Sequence, residues 1–212
     1  KELKKKIKIS KKEGKKIESF KDYDDVRVLV YSQVKKTGIK KKPDLSEIGL
    51  GGSKEDKLAF VKANLEKEIT IKDVLKEGLV DIRGVTIGKG TEGPARRFGL
   101  KLRNHKSEKG VRGPGSGGPW HPSRVEYTQP MAGQMGFFTR TVYNNKIIDI
   151  KNIKEEDVNP KGGFKRFGKI KNDYIILSGS VLGPVKRPLI ITKPLRPTKN
   201  GMKKSYELVE LR

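Results

Sequence analysis

The sequence predicts a mainly β fold, a small barrel or sandwich, which carries a helical insertion. From Leu79 onward, short segments rich in Val, Ile and Tyr alternate with Gly and Pro, a spacing typical of such folds. Residues 44–78 instead place apolar side chains at helical spacing. A third segment, at about 88–123, contains nine glycines and eight Lys or Arg residues. It fits neither pattern and is expected to be a long, functional loop.

Residues 1–43 are predicted to form a basic arm with a short helix and one strand. Ser10 and Glu13 have the spacing of a capping box, which predicts the helix. Alternating valines at 26–30 predict a half-buried strand. Three lysines and a proline at 40–43 end the arm as an exposed connector. The lysines of this arm either bind an anion or are simply solvated.

Residues 44–78 are predicted to form the helical insertion. Ser53 with Asp56, and Thr70 with Asp73, have the spacing of cap pairs and predict two helix starts. Apolar residues that follow the first pair share one helical face, namely Leu58, Val61 and Leu65. This block is nearly neutral, so its carboxylates are expected to be solvated on the polar faces of the helices.

Residues 79–212 are predicted to form the β portion. The expected strands are Leu79–Ile87, Arg124–Thr128, Phe138–Tyr143, Lys146–Ile150, Tyr174–Leu177, Leu189–Thr192 and Tyr206–Leu211. Asn144 and Asn145 lie between two of these strands. Because Asn tolerates positive φ, the pair predicts a two-residue hairpin turn.

The overall composition predicts a polyanionic partner and excludes several functional classes. The 49 Lys and Arg residues against 25 Asp and Glu give a net charge of +24, far above the magnitude of about 2–8 that solubility requires. Without cysteine the chain has no disulfide scaffold and no thiolate zinc site. No apolar run approaches the 18–20 residues of a membrane span. No cofactor, metal, membrane or small-molecule substrate is therefore expected.

One glycine pattern resembles a nucleotide-binding fingerprint. Gly88, Gly90 and Gly93 have the spacing G-x-G-x-x-G, and Glu108 follows at about the distance where an acidic residue is expected. The fingerprint requires a long helix packed on a parallel sheet, however, and residues 94–99 have no apolar stripe. We therefore expect neither a nucleotide fold nor a catalytic site.

The Gly-rich segment instead carries the candidate RNA-binding residues. Its basic side chains are Lys89, Arg96, Arg97, Lys101, Arg103, Lys106, Lys109 and Arg112. Arginine and lysine bind phosphate, and glycine lets the backbone approach RNA closely. Trp120 either stacks on a base or anchors the loop. His121, Arg124 and Arg140 complete the predicted binding set. The paired aromatics of an RNA-recognition motif are absent, so contacts are expected with RNA shape and phosphates.

Four motifs resemble the universal large-subunit ribosomal protein family L-three, in the order that the family has them. They are RGVTIGKGTEGPARRFG at 83–99, GPWHPSRV at 118–125, GQMGFFTRT at 133–141 and GSVLGP at 179–184. The sequence KPDL at 42–45, followed by GGS at 51–53, resembles the archaeal and eukaryotic branch of that family.

The resemblance implies a translation-protein-like barrel of six strands, with the insertion at 44–78 and an rRNA-penetrating extension at about 88–123. It also implies a non-catalytic constituent of the large subunit, in the cytoplasmic ribosome. Such a protein would bind large-subunit rRNA and neighbouring ribosomal proteins, support early assembly and place Trp120 near the peptidyl transferase centre. Archaeal relatives carry a further N-terminal stretch that contains the first strands of the barrel, and this sequence is expected to lack that stretch.

Two other functions fit the composition without the resemblance. A free-standing RNA-processing enzyme would need a pair of carboxylates with perturbed pKa values in a cleft. A basic DNA-binding protein would bind duplex DNA independently of RNA shape.

Overall fold

The computed structural model of this chain is mainly β with a few short helices, and it describes residues 3–8, 17, 23–65, 67–121 and 123–210. The strands are β1 (Arg27–Tyr31), β2 (Leu45–Gly49), β3 (Leu79–Val85), β4 (Gly90–Glu92), β5 (Gly133–Met135), β6 (Thr139–Lys151), β7 (Tyr174–Leu177) and β8 (Ile190–Thr192). The helices are α1 (Val34–Thr37), α2 (Lys54–Asn64), α3 (Ile71–Val74), α4 (Pro94–Phe98) and α5 (Lys199–Lys203), with a 3-10 turn at Leu3–Lys5. The predicted class, mainly β with helices, is confirmed.

The chain divides into two units. The first unit consists of Lys1–Val80, Asn144–Gly179 and Lys193–Arg212, and the second consists of Asp81–Tyr143 and Ser180–Thr192. The largest sheet has the strand order β7-β6-β3-β8. Its β6–β7 ladder lies in the first unit and its β3–β8 ladder lies in the second.

The first unit contains an antiparallel ribbon and two capped helices. Strands β1 and β2 pair from Arg27 opposite Gly49 to Tyr31 opposite Leu45. Both predicted cap pairs are confirmed, because each forms a reciprocal capping box at the start of α2 and of α3. The buried apolar residues of this unit are Val34, Pro43, Leu79, Val80, Ile147 and Tyr174.

The second unit is built on β3 and on a separate ribbon. Strand β3 pairs with β8, and Ile82, opposite Ile191, is fully buried. Strands β4 and β5 pair antiparallel, with Thr91 opposite Gln134. This ribbon frames the Gly-rich segment, since β4 begins it and β5 follows it in the sequence.

The described residues form open sheets and not the closed barrel that was predicted. Three sheets are described, one of four strands and two of two strands each. In the two smaller sheets each strand pairs only with its neighbour. The ladder of hydrogen bonds therefore does not continue around a closed ring, as a barrel requires.

The predicted hairpin at Asn144 and Asn145 is wrong. Strand β6 runs without interruption through both residues, from Thr139 to Lys151. Asn144 does have a positive φ of 58°, but Asn145 does not. A type I′ turn needs a positive φ at both central residues, so a single left-handed residue leaves the strand continuous.

Two other predicted strands are also not found. Residues 124–128 form turns and carry no strand, and the Gln129 N–H donates to the Glu126 carbonyl at 3.1 Å. Tyr127 is fully exposed there, so the apolar alternation has nothing to pack against. Residues 206–210 have no regular structure, and Leu211 lies outside the described residues.

The N-terminal third differs from its prediction in several places: helix α1 was not predicted, residues 45–49 form a strand, and Pro43 of the connector that was expected to be exposed is buried. The strand expected at 26–30 is confirmed as β1. Residues 45–49, expected to be helical, form β2 because they pair along the whole length of β1. The capping box of Ser10 and Glu13 lies outside the described residues.

Candidate nucleic-acid interface

All twelve predicted RNA-binding residues belong to the second unit. They are Lys89, Arg96, Arg97, Lys101, Arg103, Lys106, Lys109, Arg112, Trp120, His121, Arg124 and Arg140. Every one is exposed except Arg97 and Arg103, which are half-buried. The structure therefore brings the set into one compact unit, although the residues span more than fifty positions of the sequence.

Helix α4 fixes the first pair of arginines. Pro94 occupies its first turn, and the left-handed Gly99 ends it, an arrangement that suits both residue types. The Arg96 guanidinium pairs with the Glu92 carboxylate one turn earlier, at 2.5 Å. This arginine is therefore partly neutralised within the protein.

Arg97 lies against strand β5. Its guanidinium donates to the Met131 carbonyl and lies over the Phe98 ring, with its central carbon 5.1 Å from the ring centroid. Gly133 makes room for it, because a Cβ at that position would lie 3.0 Å from an Arg97 nitrogen and 3.1 Å from its central carbon. Arg97 thus holds the Gly-rich segment against the ribbon.

Arg103 closes a short loop that presents three other cations. Its backbone N–H donates to the Val111 carbonyl at 3.1 Å, and its guanidinium donates to the Pro114 carbonyl. Two tight turns between these points, closed by Asn104 and Ser107, shape the loop. The exposed cations that it carries are Lys106, Lys109 and Arg112.

The end of the Gly-rich segment exposes large aromatic side chains. Trp120 is 81% exposed and Tyr127 is 100% exposed. The sequence analysis missed Tyr127, because it assigned this residue to a strand. Tyr127 lies seven residues after Trp120, outside any strand, and adds a second exposed ring just beyond the segment.

The second unit has few carboxylates to neutralise its cations. It holds 13 of the 49 Lys and Arg residues but only four of the 25 Asp and Glu residues. One of these carboxylates, Glu92, pairs with the Arg96 guanidinium. The cations with no carboxylate within 4.0 Å, among described residues, include Lys89, Lys101, Lys106, Lys109, Arg112 and Arg124.

Several acidic and basic side chains of the first unit form ion pairs with each other. The Lys57 ammonium lowers the pKa of the Asp25 carboxyl, and the Lys36 ammonium lowers the pKa of the Glu68 carboxyl. Glu156 and then Asp149 raise the pKa of the Lys151 ammonium above its usual range. The first unit has 21 Asp and Glu residues for its 36 Lys and Arg residues, so a larger share of its cations can pair with a carboxylate than in the second unit.

An open cleft of about 580 Å³ lies in the second unit beside α4 and the β4–β5 ribbon. Its walls include Ile87, Phe98, Phe138 and Val181, and Lys89 and Arg97 stand among them. The sequence analysis did not select Phe98 or Phe138. The signal was present, since each ring lies within two residues of an arginine that stacks on it, Arg97 or Arg140.

The glycine fingerprint has no nucleotide-binding context. Strand β4, at Gly90–Glu92, pairs antiparallel with β5, whereas the fingerprint needs a parallel sheet. Within the described part of the chain, no three His, Asp or Glu side chains group as metal ligands. No described helix is long and apolar enough to cross a membrane.

Comparison with known proteins identifies the family. The model of the family described as Ribosomal protein L3 matches residues 1–212. The chain belongs to the ribosomal protein L3 family. The resemblance that the four motifs indicated is thereby confirmed.

The L3-family chain is similar to large ribosomal subunit protein uL3 of several archaea. It is 47% identical to that of Methanocaldococcus jannaschii over 207 residues, which cover 93% of this chain and 62% of the relative. It is 44% identical to that of Methanococcus vannielii over 210 residues, which cover 94% of this chain and 63% of the relative. The chain thus spans about six tenths of the length of these two relatives.

Proposed function

We propose that this chain is a non-catalytic structural constituent of the large ribosomal subunit and that its second unit binds large-subunit rRNA. The observation that carries the proposal is a set of exposed cations with no carboxylate partner among the described residues, namely Lys89, Lys101, Lys106, Lys109, Arg112 and Arg124. Membership of the L3 family supports it. By neutralising rRNA phosphates, such binding supports early assembly of the subunit. Within the cytoplasmic ribosome, the chain also contacts neighbouring large-subunit proteins.

The finer arrangement follows from the same proposal. The Gly-rich segment at about 88–123 extends through rRNA toward the peptidyl transferase centre, with Trp120 at its tip. The open sheets belong to a translation-protein-like β architecture. Two observations support the extension through rRNA: Trp120 is exposed, and the loop closed by Arg103 does not contribute to a core.

Phosphate neutralisation can be tested through its salt dependence. Each phosphate contact that releases counterions contributes about −0.7 to −0.9 to the slope of log affinity against log salt concentration. For the 212-residue chain and large-subunit rRNA, we expect a slope equivalent to at least five contacts. The double variant Lys101→Gln/Lys109→Gln should flatten the slope by up to about 1.8.

A matched variant distinguishes a local interface from bulk charge. Lys36→Gln/Lys72→Gln removes the same net charge, but both ammonium groups are already paired, with Glu68 and with Glu155. The slope of this control should change little. Equal flattening in the two variants would show that only net charge matters and would overturn the proposed interface.

The alternative functions predict different results with the same material. Equal affinity for duplex DNA of the same length at matched salt would favour a DNA-binding protein. Cleavage or modification of rRNA by the purified chain would favour an RNA-processing enzyme. A ribosomal constituent should instead sediment with large subunits and leave the RNA chemically unchanged.

A further inference from the structure

The cleft of the second unit has the chemistry of a site for a flat, electron-rich ring. Its volume of about 580 Å³ falls within the range of pockets that hold small ligands. Two phenylalanine rings line it, Phe98 and Phe138. They are 54% and 39% exposed, so the rings are open to a ligand and do not fill a core.

Each of the two rings is paired with an arginine. The Arg97 guanidinium carbon lies 5.1 Å from the Phe98 centroid, and the Arg140 guanidinium carbon lies 5.2 Å from the Phe138 centroid. A guanidinium on one face of a ring leaves the other face for a base, and guanidinium planes also stack on bases. This repeated pairing places stacking surfaces and positive charge together.

The polar groups of the cleft favour an anionic ligand with hydrogen-bonding edges. Lys89 and Arg97 line it, and no Asp or Glu is among its lining residues. The Gln134 amide nitrogen donates to the carbonyls of Met135 and Gly136, each at 3.2 Å. This bonding fixes the amide and leaves its oxygen, an acceptor, for the donor edge of a base.

The backbone beside the cleft is held in an uncommon conformation. Gly136 and Phe137 are both left-handed, with φ of 73° and 59°. For a bulky residue such as Phe137 this conformation is strained, and such strain tends to cluster at binding sites. Gly136 cannot be replaced, because a Cβ there would lie 2.1 Å from the Ile87 carbonyl oxygen.

We infer that this cleft binds one unpaired base of an RNA, stacked against Phe98 and Phe138, with the adjoining phosphates held by Lys89 and Arg97. The inference rests on the proposed rRNA binding and adds to it a site that distinguishes an extruded base from a paired one. A base inside a duplex cannot reach the rings, because both of its faces are stacked on its neighbours.

A hairpin RNA with a single bulged 2-aminopurine, and the same stem fully paired, provide the test. With the 212-residue chain at fixed salt, we expect the bulged hairpin to bind about fivefold or more tightly than the paired one, as stacking of a single base allows. The 2-aminopurine fluorescence should fall on binding. Phe98→Leu and, separately, Phe138→Leu should reduce this preference while changing the affinity for the paired hairpin less than about twofold.

Phe60→Leu serves as the control, because Phe60 is an exposed ring of α2 in the first unit, 43% exposed. It should retain the full preference, and thermal unfolding should show that all three variants are folded. Binding of both hairpins without preference would overturn the base site and leave rRNA binding intact. Failure to bind either hairpin would contradict the proposed function itself. Loss of preference in Phe60→Leu would overturn the location of the site.

Discussion

Trp120 and Ile82 differ sharply in the exposure of their side chains. Trp120 is 81% exposed, whereas Ile82 is fully buried. Sequence alone left Trp120 as either a loop anchor or a stacking ring. Its exposure removes the main contribution that a core tryptophan makes to stability, which is the burial of its ring.

We expect Trp120→Ala to leave the thermal stability of the free chain nearly unchanged. Ile82→Ala, by contrast, should cost about 2–5 kcal/mol of unfolding free energy, because it leaves a cavity in the core. Thermal unfolding of the two variants makes the comparison. In reconstituted subunits, Trp120→Ala should change the chemical reactivity of rRNA near the peptidyl transferase centre. A large drop in melting temperature with unchanged rRNA reactivity would refute the assignment of Trp120 to the tip.

Gly133 allows a second comparison between residues. Gly133→Ala places a methyl group about 3 Å from the Arg97 guanidinium, and should cost about 1–3 kcal/mol by displacing that side chain. Gly113→Ala is the matched control, since nothing lies within 4 Å of its added Cβ. Denaturant unfolding measures both. Equal stability of the two variants would mean that Arg97 moves aside at no cost and does not hold the segment against β5.

At the level of elements, the sequence predicted what local chemistry determines. The capping boxes before α2 and α3 and the strand β7 were found where the pattern placed them. Each depends on residues close in sequence, a cap pair three residues apart or a run of β-branched and aromatic side chains.

Among the elements that were missed, β4 and β5 depend on a distant partner. Strands β4 and β5 are three residues each and exist because they pair with each other across more than forty positions. Conversely, 124–128 has strand-like alternation but no partner to pair with. The cleft was missed for the same reason, because Phe98 and Phe138 are forty residues apart in the sequence and line one cleft only in the folded chain.

The capping box of α2 makes a prediction about pH. The Asp56 carboxylate accepts hydrogen bonds from the Ser53 hydroxyl and backbone N–H, which lower the pKa of Asp56 below its usual 3.8. A lowered pKa stabilises the folded state above the unfolded value, and this stability is lost as pH falls through the folded value. Ser53→Ala should therefore raise the pKa of Asp56, destabilise α2 at neutral pH, and make its stability fall less as the pH is lowered.

NMR titration of the carboxyl groups measures this effect. Thr70→Ala is the control. The Thr70 hydroxyl donates a hydrogen bond to the Asp73 carboxylate, so its loss should raise the pKa of Asp73 and leave the pKa of Asp56 unchanged. If Ser53→Ala leaves the titration of Asp56 where it was, the hydroxyl does not hold the carboxylate.

For the whole molecule, the net charge of +24 predicts opposite effects of salt on stability and on binding. Salt screens repulsion between like charges, so raising NaCl from about 0.05 to 0.3 M should raise the melting temperature of the free chain. The same change should weaken RNA binding. The amount by which bound RNA raises the melting temperature should therefore become smaller. Differential scanning calorimetry of both samples checks it. A free chain that melts lower in added salt would show that its ion pairs outweigh its repulsion.

During synthesis of the chain, strand β3 is made well before its partner β8. Asp81 lies opposite Thr192, 111 residues later. At about 5–20 residues per second, β3 leaves the site of synthesis roughly 6–20 s before its edge partner is made. Ile82, which β8 helps to bury, therefore spends that interval on a nascent chain that already carries the cations of the Gly-rich segment. Until β8 has been made, the nascent chain therefore exposes an apolar side chain beside many positive charges, and it is most prone to nonspecific association during this interval.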